Sequence, residues 1–141
     1  MKITSVASLL FVLLSLAASQ EKDRWQRIYS SEDADVDLNI STVILGADYT
    51  GRVQFRISLS RPQPAPGKSD AKYKSVIETI EFKCPERLYR IIEVKRFDNK
   101  GNPVDTDENK PAEEWSAVKG GMMNKLLTHG CELIWEKKKK P

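Results

Sequence analysis

The stretch KYKSVIETIEFKCPERLYRIIEVKRFD, residues 72–98, decides the fold of this 141-residue chain. It predicts two strands of roughly ten residues joined by a tight turn. Alternate side chains of a strand point to opposite faces, so each strand offers one mostly apolar face to a core. That face comprises Val76, Glu78, Ile80, Phe82 and Cys84, then Leu88, Arg90, Ile92 and Val94. Ile77 and Ile91 fall on the other face, which indicates that both sides of the hairpin are partly covered.

Further strands are predicted on both sides of this hairpin. The clearest has Val53, Phe55 and Ile57 in alternation with polar residues, among them Arg52 and Arg56, whose default role is a solvated outer face. Shorter strands are predicted at 25–29, 36–40, 42–45 and 104–107, the last at a sheet edge. The run RPQPAPGKSD, residues 61–70, is predicted to be a long exposed connection, because its prolines remove donors from a strand ladder.

A helical pattern follows the strands. Trp115, Val118, Met122 and Leu126 recur at steps of three and four residues. The pair Gly120-Gly121 predicts that the continuous helix begins near Met122 and that Trp115 lies on an earlier turn. Gly130 is placed to end the helix as a left-handed cap, with Cys131 directly after it. These elements predict an α+β fold, with a mainly antiparallel sheet of five or six strands packed against one C-terminal helix.

The last ten residues, 132–141, are predicted to form a tail. Leu133 and Trp135 fit either an edge strand or a segment docked on the sheet. The four lysines from Lys137 to Lys140 must be solvated. They either keep the protein soluble or bind an anionic partner.

The first 19 residues predict a secretory signal peptide. Lys2 is followed by an apolar run and then by Ala17-Ala18-Ser19, with the expected cut after Ser19. An uncleaved membrane anchor is the alternative, but the run is short for a transmembrane span. The mature chain would then have no transmembrane segment, with a domain at 20–131, and would be exported, either periplasmic or secreted. No cysteine stands at the expected cut, so lipid attachment there is not expected.

The charge of the chain is nearly balanced. The formal net charge of +3 includes Lys2, which would leave with the signal peptide. A balance of this kind gives no general attraction to nucleic acid or to acidic membranes. We therefore expect no nucleic-acid partner, and any electrostatic targeting must come from a local patch.

The two cysteines, Cys84 and Cys131, favour a disulfide in an exported chain of this size. A free thiol and a metal site are the alternatives. A metal site would need more ligands than the two cysteines and the single histidine, His129, provide. No metal and no cofactor are therefore expected.

Catalytic motifs are sparse in this sequence. It has no Gly-x-Ser-x-Gly motif and no glycine-rich phosphate loop, and His129 fits the C-terminal part of a helix without a catalytic role. No catalytic residue is predicted, and the chain is expected not to be an enzyme. A small hydrolase or metal-dependent enzyme stays an alternative that requires polar groups to converge near His129. Separately, Asn39-Ile40-Ser41 fits an N-glycosylation sequon, which matters only in a eukaryotic secretory pathway.

Between Trp25 and Cys131 the chain resembles the surface-adhesin protein E-like family of small exported bacterial proteins. The shared features are short segments in a fixed order: Asp23-Arg24-Trp25, an acidic turn leading to Asp37 and Ile40, Tyr73-Lys74-Ser75-Val76, Phe82-Lys83-Cys84, Arg87-Leu88-Tyr89-Arg90, Phe97-Asp98 before Gly101, Trp115, and a short helix ending at Cys131. The resemblance implies an antiparallel sheet packed against a helix, with the cysteine pair as a staple.

The resemblance also implies a function. The family's namesake is an outer-membrane lipoprotein that engages host matrix and serum proteins, whereas most relatives have no assigned activity. The expectation is a non-catalytic exported protein that binds an unknown protein partner. The alternative is a surface adhesin for a host extracellular-matrix or serum protein. No binding residue can be carried over, because the matching positions belong to the scaffold.

Overall fold

The computed structural model describes residues 23–108 and 114–140. The predicted signal peptide, residues 1–19, lies outside the described residues. In chain order the elements are β1 Trp25–Ser30, β2 Ala34–Asn39, β3 Ile44–Leu45, β4 Thr50–Ala65, β5 Lys68–Lys83, β6 Leu88–Phe97, β7 Pro103–Glu108, β8 Ser116–Ala117 and α1 Gly121–Lys139. The predicted α+β class, a mainly antiparallel sheet with one C-terminal helix, is confirmed.

The strands form one antiparallel sheet in the order β1-β2-β4-β5-β6-β7. Two further strands of two residues each join it, β3 beside β4 and β8 beside β6. Five or six strands were predicted, and the main path has six. With β3 and β8 the described sheet has eight strands. β7 lies at an edge, as its sequence predicts.

The long hairpin of β4 and β5 corrects the prediction for residues 61–70. These residues are not a separate connection, because both strands have 16 residues and turn at Pro66-Gly67. The pairing of β4 with β5 is interrupted between Ser58 and Gln63. Pro62 lies in this interruption, so its missing N–H group removes no hydrogen bond from the regular ladder. The pairing of β2 with β4 reaches only Leu59, and prolines are tolerated where a strand runs beyond its partner.

A β-bulge in the pairing of β5 with β6 corrects the predicted core face of β6. Thr79 pairs with Glu93, but the next residue, Ile80, pairs with Ile91. Ile92 is therefore an extra residue of β6 between these two pairs. Because one inserted residue reverses the faces beyond it, Tyr89 and Ile91 pack against the core and Arg90 points to the opposite face. The predicted core positions Leu88, Arg90 and Ile92 were therefore wrong, whereas Val94 is buried as predicted.

The core lies between the sheet and α1. Its buried members are Val36, Leu38, Val53, Phe55, Ile80, Phe82, Cys84, Leu126, Leu127, Cys131, Leu133 and Ile134. The rings of Phe55 and Phe82 meet edge to face at its centre, with centroids 6.2 Å apart. Burial of these side chains supplies the main favourable contribution to folding.

The helix begins where the sequence predicts but does not end there. Gly130 was predicted to be its terminal cap, yet α1 continues to Lys139, so the predicted edge strand or docked segment of the tail is helix. A Cβ atom on Gly130 would lie 2.8 Å from the Phe82 ring, and one on Gly51 of β4 would lie 2.8 Å from Ile134. Both glycines are therefore needed for close approach of helix and sheet.

The structure contains the predicted disulfide between Cys84 and Cys131. The two Cα atoms are 5.8 Å apart, within the usual range for such a bond. Since Cys131 lies inside α1, the bond fixes the middle of the helix to the end of β5, not the end of the helix as expected.

Candidate functional site

The sheet surface opposite α1 forms a charged face. Side chains alternate between the two sides of a strand. The strands that bury residues such as Val53 and Phe55 under α1 therefore place the polar residues between them on the opposite side of the sheet. The charged face is defined by Trp25, Arg27, Asp35, Asp37, Arg52, Arg56, Glu81, Lys83, Arg90 and Trp115. It crosses five neighbouring strands, which corresponds to about 20 Å.

The first half of the charged face is centred on Asp37. This carboxylate is buried, and it accepts a bond from Arg27 Nε at 2.6 Å and one from Arg56 Nη2 at 2.9 Å. The Arg56 guanidinium stacks on the Trp25 ring, 4.6 Å from its centroid. Arg27 also contacts Asp35 at 2.9 Å. Asp37 thus fixes two arginines on strands β1 and β4.

The second half repeats this arrangement around Glu81. Its buried carboxylate accepts a bond from Arg52 Nε at 2.6 Å and one from Arg90 Nη2 at 2.6 Å. The Trp115 ring contacts the Arg90 guanidinium at 4.4 Å and Lys83 Nζ at 4.5 Å. Each half therefore consists of a carboxylate between two arginines, with one of the two stacked on a tryptophan.

The electrostatics of both carboxylates follow from this arrangement. Burial acts to raise the pKa of Asp37, but the hydrogen bonds and charges of Arg27 and Arg56 prevail and lower it. Burial likewise acts to raise the pKa of Glu81, but the hydrogen bonds and charges of Arg52 and Arg90 outweigh it, so this pKa is also lowered. Both groups stay ionised at neutral pH.

Asn39 lies between the two halves and is fully buried. Its amide nitrogen donates to Gln54 Oε1 at 3.2 Å, and its oxygen accepts from the Ser41 backbone at 3.1 Å. Both ends of the side-chain amide are thus hydrogen-bonded within the fold. A glycan on the Asn39 nitrogen would disrupt these bonds, so Asn39 has a structural role here.

The charged face has the properties of a surface for protein recognition. Arginine and tryptophan are enriched among the residues that dominate binding at protein interfaces. The bonds to Asp37 and Glu81 hold the arginines in place, which lowers the entropy lost on binding. Arg52 is 42% exposed and contacts Glu81 through Nε, so its terminal nitrogens can donate to an incoming carboxylate.

His129, which the enzyme alternative requires, lies on a different part of the molecule. Its side chain is 39% exposed, and Nδ1 is 3.9 Å from Glu132, too long for a hydrogen bond. It lines a shallow groove of about 250 Å³ between α1 and the first strands, together with Arg24 and Glu136. Among the described residues that line this groove there is no serine, threonine or cysteine nucleophile.

Residues 23–108 and 114–140 contain neither a cluster of metal ligands nor a helix that could span a membrane. No group of three or more histidine, cysteine, aspartate or glutamate side chains there is arranged to hold a metal ion. Both cysteines are used in the disulfide. Within the same residues no helix has the length and apolar character needed to cross a membrane.

The sequence did not identify the charged face. Arg52 and Arg56 were interpreted as a solvated outer face, and Trp115 was placed on a turn that precedes the helix. The partners of Asp37 are distant in sequence, at Arg27 and Arg56, and become neighbours only when the register of three strands is known. The available signal was the placement of opposite charges at outward positions of adjacent predicted strands.

The comparison with known protein families gives one match. The model of a family described as "Surface-adhesin protein E" matches residues 19–132 of this chain. The match covers more than half of the chain and agrees with the resemblance seen in its short segments. No curated protein and no solved structure matches the chain.

Proposed function

We propose, from the premise that this chain belongs to the surface-adhesin protein E family, that it is a non-catalytic binding protein whose charged face holds a protein partner. Membership implies an exported or surface protein with an external partner. The location that we propose is the periplasm or the secreted fraction. The observation that carries the binding proposal is the repeated cluster of a buried carboxylate between two arginines.

The chemistry of the charged face favours a partner with acidic groups. Its five cationic and three acidic side chains leave an excess of two positive charges. Because Asp37 and Glu81 are already satisfied by arginine, a partner's carboxylates can bind the outer nitrogens of the same guanidiniums without displacing them. The extended sheet surface suits a folded protein better than a small molecule, which usually binds in a concave site.

A cell-surface adhesin is the second candidate, and the description of the family favours it. In that case the partner is a host extracellular-matrix or serum protein, and the charged face must be accessible on intact cells. Both candidates use the same surface and differ in where the protein is located.

Binding by the charged face can be tested with immobilised matrix and serum proteins and with acidic periplasmic proteins of the native host. The variant Arg27→Gln/Arg52→Gln removes one arginine from each cluster, so Asp37 and Glu81 each keep one partner. We expect saturable, salt-sensitive binding by the wild type and a loss of about tenfold or more in the variant. The matched control, Arg61→Gln/Lys72→Gln, removes two exposed charges elsewhere and should bind normally.

Equal weakening in the variant and in the control would contradict a specific role for the charged face. The location is tested separately by fractionation of the native host and protease treatment of intact cells. A protease-protected pool with the intact mass of Gln20 to Pro141, less two hydrogens, supports a periplasmic protein. Removal by protease from intact cells supports the adhesin instead.

A further inference from the structure

A second surface lies at the end of the molecule where α1 ends. Among the described residues five large hydrophobic side chains are exposed, and three of them are placed here. These three define the tip patch: Leu45 at 43% exposure, Tyr49 at 45% and Trp135 at 43%. Tyr49 and Trp135 line one shallow depression, and Leu45 lies opposite Gly51, on the α1 side of β3. Ile44, the preceding residue, lies opposite Arg52 and points to the other side of the sheet. Such clustering of exposed apolar groups marks an interaction site.

A cluster of lysines lies at the end of α1 beside the tip patch. Lys137 to Lys140 form the last turn of α1 and the residue after it. Lys138 Nζ lies 4.3 Å from the centre of the Tyr49 ring, and Lys139 lines the depression beside Trp135. Lys137 and Lys140 line the neighbouring groove of His129. Glu132 and Arg87 also lie beside Trp135, where their charges offset each other, and the other acidic residues near this end, Asp48, Glu86 and Glu136, are fewer than the lysines. The local charge is therefore positive.

The loop that carries Tyr49 is held in an unusual conformation. Asp48 and Tyr49 have φ angles of 50° and 58°, in the left-handed region that non-glycine residues seldom occupy. Bonds from Gly46 N to Thr50 O and from Thr50 N to Ala47 O, at 2.8 and 2.9 Å, close the loop. The loop therefore fixes the Tyr49 ring at the surface, and strain of this kind is concentrated at functional sites.

We propose that the tip patch and its lysines form a site for peripheral attachment to an anionic bilayer. Tyrosine and tryptophan favour the level of the lipid headgroups, where Tyr49 and Trp135 would lie with the side chain of Leu45. The lysines would bind the headgroup phosphates. A protein partner is the less favoured occupant, because lysine is depleted at the cores of protein interfaces.

This attachment leaves the charged face free. The tip patch is at the ends of the strands, next to Pro85 in the turn after β5, whereas the charged face is a side of the sheet. A membrane-bound molecule would therefore still present Arg27 and Arg56, which lie farther from β3 than Arg52, to a partner. The attachment site does not depend on the proposed function.

Co-sedimentation of residues 20–141 with vesicles tests the proposal. Vesicles of phosphatidylcholine with 30% phosphatidylglycerol should bind the wild type about tenfold or more tightly than phosphatidylcholine alone, and 0.5 M salt should release it. The variant with Lys137, Lys138, Lys139 and Lys140 changed to Gln should lose about tenfold or more in affinity. The matched control changes the exposed Lys68, Lys72, Lys74 and Lys100 to Gln and should keep wild-type affinity.

Insertion has its own signature in tryptophan fluorescence. Anionic vesicles should shift the emission to the blue in the wild type but not in Trp135→Phe, with circular dichroism confirming that each variant is folded. No binding, equal losses in the two lysine variants, or a blue shift that survives Trp135→Phe would overturn the proposal. Binding to soluble polyglutamate as strong as binding to vesicles would also overturn it and would indicate an acidic protein partner.

Discussion

The two faces of the sheet have opposite roles although the same strands build both. Leu38 and Phe82 are buried under α1, and their chain neighbours Asp37 and Glu81 are buried among arginines on the charged face. The core face is closed by a helix, two close-approach glycines and a disulfide. The charged face is covered by no other described element of the chain apart from the segment that carries Trp115. The difference implies that changes on one face alter mainly stability and changes on the other mainly recognition.

The largest effect is expected from the disulfide on the core face. On the loop-entropy model a bond that closes 47 residues contributes about 4 kcal/mol to the free energy of unfolding. Cys131→Ser should therefore lower the midpoint of urea denaturation strongly. The double variant Cys84→Ser/Cys131→Ser serves as the control and should not respond to a reductant. An unchanged midpoint in Cys131→Ser would contradict the assigned role.

The next effect concerns the contact of α1 with the core face. Gly130→Ala adds a Cβ atom 2.8 Å from the Phe82 ring, and overpacking of this kind costs about 1–3 kcal/mol. Alanine is the better helix former by about 1 kcal/mol, which offsets part of the cost. We expect a net loss of stability in thermal denaturation. Thr128→Ala, at an exposed position of α1, is the control, and a stabilised Gly130→Ala would show that the helix can move away from the sheet.

A smaller effect is expected when a carboxylate of the charged face is neutralised. Asp37→Asn leaves Arg27 and Arg56 without their shared counter-charge, and we expect a loss of about 1–2 kcal/mol in urea denaturation. Asp35→Asn removes a more exposed partner of Arg27 and should cost under about 0.5 kcal/mol. Equal losses in both variants would contradict the central position given to Asp37.

The pH dependence of stability should follow from the same two carboxylates. Because the pKa values of Asp37 and Glu81 are lowered by folding, their stabilisation is complete above the unfolded values of 3.8 and 4.5. It is lost as the pH falls through the lower folded values. Urea midpoints measured from pH 6 down to pH 2.5 should therefore decline less in Asp37→Asn/Glu81→Gln than in the wild type. Identical slopes would show that these groups do not contribute.

The smallest effect has the opposite sign and comes from the core face. Burial raises the pKa of Glu78, which the charge of Arg96 only partly offsets. Its protonated form is favoured by folding, so stability is lost as the pH rises through 4.5 toward the higher folded pKa. Glu78→Gln should therefore be slightly more stable than the wild type at pH 7 and equal to it at pH 3.5. A destabilised variant at pH 7 would contradict this.

The sequence predicted the elements better than their register. Alternation identified the strands of Val53 and Val76, and the paired glycines located the start of α1, because these signals are local. The bulge at Ile92 could not be read from the chain, since it depends on how β5 and β6 pair. Gly130 was misread because a glycine that ends a helix and one that allows close packing look the same in a sequence.

The candidate site was hidden for the same physical reason. Asp37 and Glu81 are ordinary outward positions until the neighbouring strands place two arginines on each of them. Trp115 shared the helical spacing and was predicted to lie on a turn before the continuous helix, whereas the structure places it directly before β8 and stacks it against Arg90 on the charged face. The chemistry of the site thus arises from long-range pairing, which short motifs do not encode.

The most direct test of two separate surfaces uses the indole N–H signals of the three tryptophans in the ¹⁵N NMR spectrum. Trp25 and Trp115 lie on the charged face, and Trp135 lies on the tip patch. Addition of the tightest-binding protein from the matrix, serum and periplasmic panel should shift the signals of Trp25 and Trp115 and leave that of Trp135 unchanged. A shift of Trp135 alone, with Trp25 and Trp115 unmoved, would contradict the assignment of the charged face as the binding surface.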